Sequence, residues 1–460
     1  MWLLYDLIIR LYGSSIRLAA LFNPKAQKWV QGRRHLLTQK KSQNSKLKTQ
    51  NSTLAAVAWF HCASLGEFEQ GRPVIEAFRS KHPDWKIVLT FFSPSGYEIR
   101  KNYQGADQVF YLPLDTRRNA RKFIEAVNPS LAVFVKYEFW FNYLDELHKK
   151  NIPVYVISAN FRKNQHFFRW YGGWALKQLL KVTRFFVQHQ ESAALLKDHG
   201  IGNVTVSGDT RFDRVAEIAA HAKAFPLIEK FAAGRPVFLA GSTWPADEEL
   251  ILSLIAAHGD KMKFIIAPHE VDEQRVMGLM STFRIPDSGF RISYKTQNPN
   301  HKLSTQNSKL KTQNSELKTQ NSELKTQNSE LRTCLFSQLT EDNALPSNIL
   351  IIDGIGYLAH LYQYATIAYI GGGFGAGIHN ILEAAAFGKP VIFGPKYHKF
   401  REATELIQAG GAFPIHNSQQ LNNRIIELLE DRNRYQVSSL ACQSYIQQKK
   451  GATGRILDRI

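Results

Sequence analysis

Four stretches of this 460-residue chain set polar side chains at the ends of apolar runs. In HCASLGEFEQGRP (61–73) a strand is expected to stop at Ser64, Gly66 permits a tight turn, and Glu67 falls at or near a helix start. A carboxylate there can serve as a general base, or it can simply complement the helix dipole. KYEFWFN (136–142) places Glu138 just past a second apolar run. SGDTRFDR (207–214) follows a third with Asp209, Arg211 and Asp213. An arginine so placed either grips a phosphate or carboxylate through paired N–H donors or makes a surface ion pair.

The fourth stretch, IGGGFGAGIHNILEAAAFGKPVIFGP (370–395), is the richest. It predicts a strand, a glycine-dense loop, a helix beginning near His379 and Asn380, and another strand after Gly388-Lys389-Pro390. Glycines let the backbone approach a ligand, and a helix start offers N–H groups to a phosphate. Glu383 on the first turn can accept two ribose hydroxyls. A packing turn is the plain alternative. The loop matches neither G-x-x-x-x-G-K-[ST] nor G-x-G-x-x-G, so a P-loop ATPase and a dehydrogenase both lose support. AGSTWPADEE (240–249) adds a strand end and an acid-rich helix start, with little specificity of its own.

These segments need a scaffold that brings strand ends together. Runs rich in Val, Ile and Phe recur at 57–64, 86–93, 109–113, 131–137, 154–159, 185–188 and 204–209. A second series occupies 236–242, 263–269, 349–354, 367–373 and 390–395. Helical stretches separate them. Near-continuous apolar strands alternating with helices mean parallel sheets covered on both faces. The expected fold is α/β, two Rossmann-like domains facing across a cleft, with ligands at the carboxyl ends of the strands.

Composition narrows the partners. The 58 Lys and Arg outweigh 39 Asp and Glu, for a net charge of +19, which suits an anionic partner. Residues 1–50 hold ten basic residues against Asp6 alone. The first 22 residues are otherwise apolar, and at helical pitch Asp6, Arg10, Gly13 and Arg17 fall within about 60° of one another. No uncharged run reaches the ~18 residues of a transmembrane helix. No small-residue cleavage site follows, so a cleaved signal peptide is not expected. A helix lying in or dipping into a membrane, followed by a basic segment facing anionic head groups, is expected; a buried N-terminal helix is the alternative. Three scattered cysteines fit a reduced compartment. A seven-residue TQNS repeat at 305–332 and its relative at 42–54 carry one leucine per seven, too few for a coiled-coil seam. They are expected to be solvated insertions.

Taken together and in this order, HCASLGEFEQGRPVIEAF, KYEFWFN, ISANFR, GDTRFD, AGSTWPADEE and GGGFGAGIHNILEAAAFGKPVIFGP resemble the bacterial 3-deoxy-D-manno-octulosonic acid (Kdo) transferases. The resemblance implies a GT-B fold and inverting transfer of Kdo from a CMP-Kdo donor to the lipid A precursor, at the cytoplasmic face of the inner membrane. It implies Glu67 as catalytic base, with Glu138 and Arg211 stabilising the transition state. It assigns CMP binding to Pro268, His269, Ile355, Gly356, Tyr357, Asn380, Ile381, Leu382 and Glu383. The sequence departs from the family pattern at His269, often arginine, and at Tyr357, often an acid. No metal, no cofactor and no nucleic-acid partner are expected. The chain then divides into a membrane-associated segment (1–35), an insertion (36–54) and an acceptor domain (55–215). A linker (216–235), a CMP-sugar domain (236–440, with an insertion at 296–333) and a C-terminal helix (441–460) complete it. A GT-B transferase using another nucleotide sugar, such as a UDP-hexosamine, and a basic membrane-associated nucleic-acid-binding protein remain as alternatives.

Overall fold

The computed structural model describes residues 1–34, 55–283 and 332–460. The TQNS insertions at 36–54 and, apart from its last two residues, at 296–333 lie outside the described residues, and with the first go Lys40, Lys41, Lys46 and Lys48 of the basic N-terminal segment. The chain forms two compact units, one from Met1–Arg214 with Lys449–Ile460 and one from Val215–Gln448.

The front unit holds a seven-stranded parallel sheet. Its strands are β1 (Val57–Cys62), β2 (Lys86–Phe91), β3 (Gln108–Tyr111), β4 (Leu131–Val135), β5 (Val154–Ala159), β6 (Arg184–Val187) and β7 (Val204–Val206). They lie in the order β3-β2-β1-β4-β5-β6-β7. The back unit repeats the plan with β8 (Val237–Thr243), β9 (Lys263–Pro268), β10 (Thr333–Leu335), β11 (Ile349–Ile351), β12 (Ile367–Ile370), β13 (Val391–Phe393) and β14 (Ala412–Pro414). Their order is β10-β11-β9-β8-β12-β13-β14. All twelve apolar runs are strands. The two unforeseen strands among the described residues, β10 and β14, are three-residue strands at the two edges of the back sheet.

Central strands such as β4 are buried along their whole length, so both sheet faces are covered. One front face packs Trp59 against Phe123, Phe134 and Tyr143, with ring centroids 5.0–5.6 Å apart. The other packs Phe60, Phe68, Phe78 and Phe91, and includes Ile456 and Leu457 from the far end of the chain. Burying those two side chains is worth roughly 1.5–3 kcal/mol each. Asp213 accepts hydrogen bonds from Gly451 N, Thr453 N and Thr453 Oγ1, fastening the start of the last helix, Ala452–Leu457. The end of the chain is therefore the tail of one helix, Arg432–Lys449, and a second short helix seated on the front unit, in place of a single helix over 441–460.

The N-terminal helix, Trp2–Ala19, is turned opposite to an ordinary surface helix. Ile9 and Gly13 are buried, and Tyr5 and Asp6 are directed inward. Tyr5 Oη donates to the buried Asp115, and Asn142 Nδ2 donates to Asp6. The thin polar stripe thus contributes Asp6 and Gly13 to the packed face, while Leu3, Leu7, Leu11 and Leu18 point outward. Gly13 lies close to Leu114, whose Cδ2 would stand 2.6 Å from a Cβ there. No helix among the described residues is long and apolar enough to cross a membrane.

Candidate active site

In each sheet the strand order reverses once beside the first strand, between β1 and β4 in front and between β8 and β12 behind. The carboxyl ends of strands at such a switch leave a crevice where α/β proteins bind ligands. The loops at these two places carry most of the candidate residues.

In the front unit β1 ends at Cys62 and runs through Ser64 into the helix Leu65–Lys81. Gly71 lets this helix lie close against the sheet, for a Cβ there would meet Val135 Cγ2 at 2.9 Å and Cys62 Sγ at 3.2 Å. Glu67 sits half-buried in the first turn and accepts a hydrogen bond from Ser64 Oγ. Glu138 follows β4 and lies 3.7 Å from His61 Nε2. That contact is not a full ion pair. Trp140 Nε1–H donates to the same His61 nitrogen at 3.1 Å, so Nε2 is an acceptor and the ring is neutral. His61 Nδ1–H turns instead to Thr90, 2.9 Å from its hydroxyl. Glu138 thus lies beside a fully buried imidazole whose Nε2 is already engaged by Trp140.

Arg211 opens the helix Thr210–Ala220. Its Nε and NH2 both donate to Asp209 Oδ2, at 2.8 and 2.7 Å, and its backbone N–H donates to Oδ1 at 2.9 Å. Asp209 is buried, so the guanidinium is held by a fixed carboxylate. Thr210 Oγ1 donates to Gln70 O, which ties this segment to the helix bearing Glu67. The structure thus gathers Glu67, Glu138 and Arg211 along one edge of the front sheet, while Asp213 serves the chain terminus. Lys136 and Ser158, at the ends of β4 and β5 on that edge, both adopt positive φ (67° and 54°) without being glycine. Such strain collects at functional sites.

In the back unit Asp247, fully buried, ties the two switch-point loops together. It accepts from Trp244 N and Gly372 N, both at 2.9 Å, and from Tyr369 Oη at 2.7 Å. The glycine loop comes against the loop after β13, where a Cβ on Gly373 would stand 2.6 Å from Gly394 N and Cα. Pro268 ends β9, and the exposed His269 follows it. His269 stacks on His379 with centroids 4.2 Å apart and on Trp244 at 4.9 Å. Trp244 Nε1–H donates to His379 Nε2 at 3.0 Å, which leaves the His379 proton on Nδ1. Burial, then the neighbouring His269, lowers the His379 pKa below the usual imidazole value.

Ile355, Gly356 and Tyr357 form the loop beyond β11, with Ile355 exposed and Gly356 at φ 91°. Tyr357 packs on Phe336 at 4.8 Å. The helix after the glycine loop begins at Leu382 and runs only to Ala386, later and shorter than the sequence suggested. Asn380 Oδ1 accepts from Leu382 N at 3.2 Å, and Asn380 Nδ2 donates to Glu383 Oε1 at 2.9 Å. Ile381 and Leu382 bury their side chains, so only their main chain can face a ligand. Trp244, Asp247 and His379 escaped the sequence-based site list. His379 lies more than a hundred residues from the Trp244–Asp247 segment, and only the sheet brings it there.

The comparisons agree with this architecture. Over 88% of its length the chain superposes on UDP-GlcNAc 2-epimerase from Neisseria meningitidis bound to UDP-GlcNAc, covering 99% of that chain with a TM-score of 0.53 and 15% identity. Alr3699/HepE from Anabaena in complex with UDP is similar, with a TM-score of 0.51, 14% identity and coverage of 88% and 98%. At these identities the likeness concerns the fold. Residues 30–214 match a family model described as 3-deoxy-D-manno-octulosonic-acid transferase. Curated Kdo transferases align over most of the chain. That of Aquifex aeolicus is 25% identical over 387 residues, 82% of this chain and 88% of the relative. That of Rickettsia prowazekii is 27% identical, covering 84% of this chain and 75% of the relative. Two parallel-sheet domains and these relatives define a glycosyltransferase of the GT-B class. Within that class, the chain is similar to the Kdo transferases, through residues 30–214 in the family model and over most of its length in the relatives.

Proposed function

We propose that the protein transfers Kdo from CMP-Kdo to the lipid A precursor in a single inverting displacement. The observation that carries this is the placement of Glu67 at the switch point of the front sheet, hydrogen-bonded to Ser64 and on the same edge as Glu138 and Arg211. A sugar hydroxyl is a poor nucleophile at neutral pH. Glu67 takes its proton as the oxygen attacks the anomeric carbon of Kdo. The bond from that carbon to the phosphate oxygen breaks, and CMP leaves as a phosphate monoester. Arg211, steadied by Asp209, and Glu138 act on the charge that develops in the transition state.

CMP binds to the back unit at the carboxyl ends of its strands. The main chain of 380–382 and the Glu383 carboxylate meet the nucleoside, with the carboxylate positioned by Asn380. Pro268 and His269 approach from β9, and Ile355–Tyr357 from β11. The protein works on a membrane surface at the cytoplasmic face of the inner membrane. Support comes from the outward leucines of the N-terminal helix, flanked by Arg10 and Arg17. The neighbouring segment adds Trp170, 95% exposed, and Tyr171; Trp174 in the same segment packs on Trp2 at 5.1 Å. Aromatic side chains so placed suit the head-group layer.

Incubation with CMP-Kdo and tetraacyl lipid A precursor, followed by mass measurement of the lipid, tests the proposal. A gain of one or more Kdo units is expected. Transfer from UDP-hexosamines in a donor panel, with none from CMP-Kdo, contradicts it.

A further inference from the structure

The N-terminal helix and the helix Pro24–Arg34 form a hairpin against the loops that follow β2 and β3. Between hairpin and loops lies a cavity of about 730 Å3, within the size range of lipid and small-molecule sites. Ala20, Leu21, Val30 and Leu114 supply apolar wall. Two polar groups in its lining lack the partners that burial demands.

The first is Trp29. Its side chain is buried, with 7% of the residue exposed, and Nε1–H has no hydrogen-bond acceptor. A buried indole N–H ordinarily finds one. The second is Arg33. Its guanidinium donates to three backbone carbonyls, Leu112 at 2.8 Å, Phe92 at 2.6 Å and Trp29 at 3.1 Å. It lies 3.8 Å from the Trp29 ring centroid and 4.8 Å from those of Phe92 and Tyr111. No carboxylate among the described residues pairs with it. Carbonyls and rings solvate a cation but leave its charge uncompensated, and burial lowers the Arg33 pKa to about 9. Three of the five guanidinium N–H bonds are used, which leaves two for a further acceptor.

One ligand chemistry answers all of this. An anion with several acceptor oxygens neutralises Arg33 and takes the Trp29 N–H. A hydrocarbon chain on the same molecule covers the apolar wall and continues along the outward leucines of the helix. The exposed Arg17, also in the lining, offers a second cation to the anion. We propose that this cavity binds the phosphate head group of an acyl lipid, with Trp29 Nε1–H and Arg33 as phosphate donors. A free phosphate ion shares the head-group chemistry, so the test separates the two.

The full-length protein is titrated calorimetrically with dihexanoylphosphatidic acid below its micelle concentration, with inorganic phosphate, and with dihexanoylglycerol. Saturable one-to-one binding of the phosphatidic acid is expected, at least tenfold tighter than either control. Trp29→Phe, which keeps the ring and deletes the donor, should weaken it at least fivefold. Arg17→Gln, an exposed change that spares the fold, should weaken it at least threefold. Equal affinity for inorganic phosphate, equal affinity for dihexanoylglycerol, or affinities unchanged in both variants each overturn the proposal. No sugar donor is present in the titration, so its outcome is independent of the transfer reaction.

Discussion

Replacing Tyr5 with phenylalanine deletes one hydroxyl from the joint between the N-terminal helix and the front sheet. The Asp115 carboxyl at that joint is fully buried. It accepts hydrogen bonds from Tyr5 Oη at 2.6 Å and from the backbone N–H groups of Asn142 and Tyr143, each at 3.1 Å. Burial pushes its pKa up to about 7, and the bond from Tyr5 holds it from rising further. The unfolded chain titrates this carboxyl near 3.9, so between about pH 4 and pH 7 the folded state holds the extra proton. This group therefore favours folding as pH falls through that window and opposes it as pH rises. At pH 8 the Tyr5 hydroxyl bonds an ionised carboxylate, and at pH 5.5 a neutral carboxyl. A hydrogen bond to a charged group contributes about 1.5–3 kcal/mol and a neutral one about 1 kcal/mol. Tyr5→Phe should then cost about 2 kcal/mol at pH 8 and about 1 kcal/mol at pH 5.5. For a domain of some 200 residues the Tm falls by about 4–8 °C at pH 8 and about half as much at pH 5.5. Scanning calorimetry of wild type and variant at both pH values measures this. A loss equal at the two pH values, or larger in acid, refutes the assignment of an ionised Asp115 above pH 7.

Two further changes probe other parts of the account. Gly373→Ala forces a Cβ against the Gly394 backbone and should destabilise the back unit by about 1–3 kcal/mol, with CMP affinity falling at least tenfold by calorimetry; near-normal CMP binding counts against the glycine loop as part of the donor site. Leu7→Ser combined with Trp170→Ser leaves the core untouched, since both side chains are exposed, and should reduce flotation with anionic vesicles while leaving the Tm within about 1 °C. Undiminished flotation removes that surface from the membrane contact.

The scaffold was legible because its strands are buried on both faces, and runs such as LAVFV (131–135) have no polar face to hide them. The strand ends followed, and with them Glu67 and Glu138. What stayed hidden depends on contacts between distant residues. The return of 449–460 to the front unit rests on Asp213 and on two side chains in a distant core. The inward turn of Tyr5 and Asp6 rests on Asp115 and Asn142, more than a hundred residues away. The late start of the helix at Leu382 has a local cause, since the Asn380 side chain caps Leu382 N and replaces the first helical turn with a bend. The Trp244, His269 and His379 stack comes from three loops that meet only because β8 lies between β9 and β12.

The central claim is that the Glu67 carboxylate removes the proton from the acceptor hydroxyl. Single-turnover transfer from CMP-Kdo by Glu67→Ala, with CMP affinity measured on the same preparation, tests it most directly. The account predicts an intact fold, CMP affinity within twofold of wild type, and a transfer rate lower by about 10²–10⁴. A transfer rate close to that of wild type contradicts it.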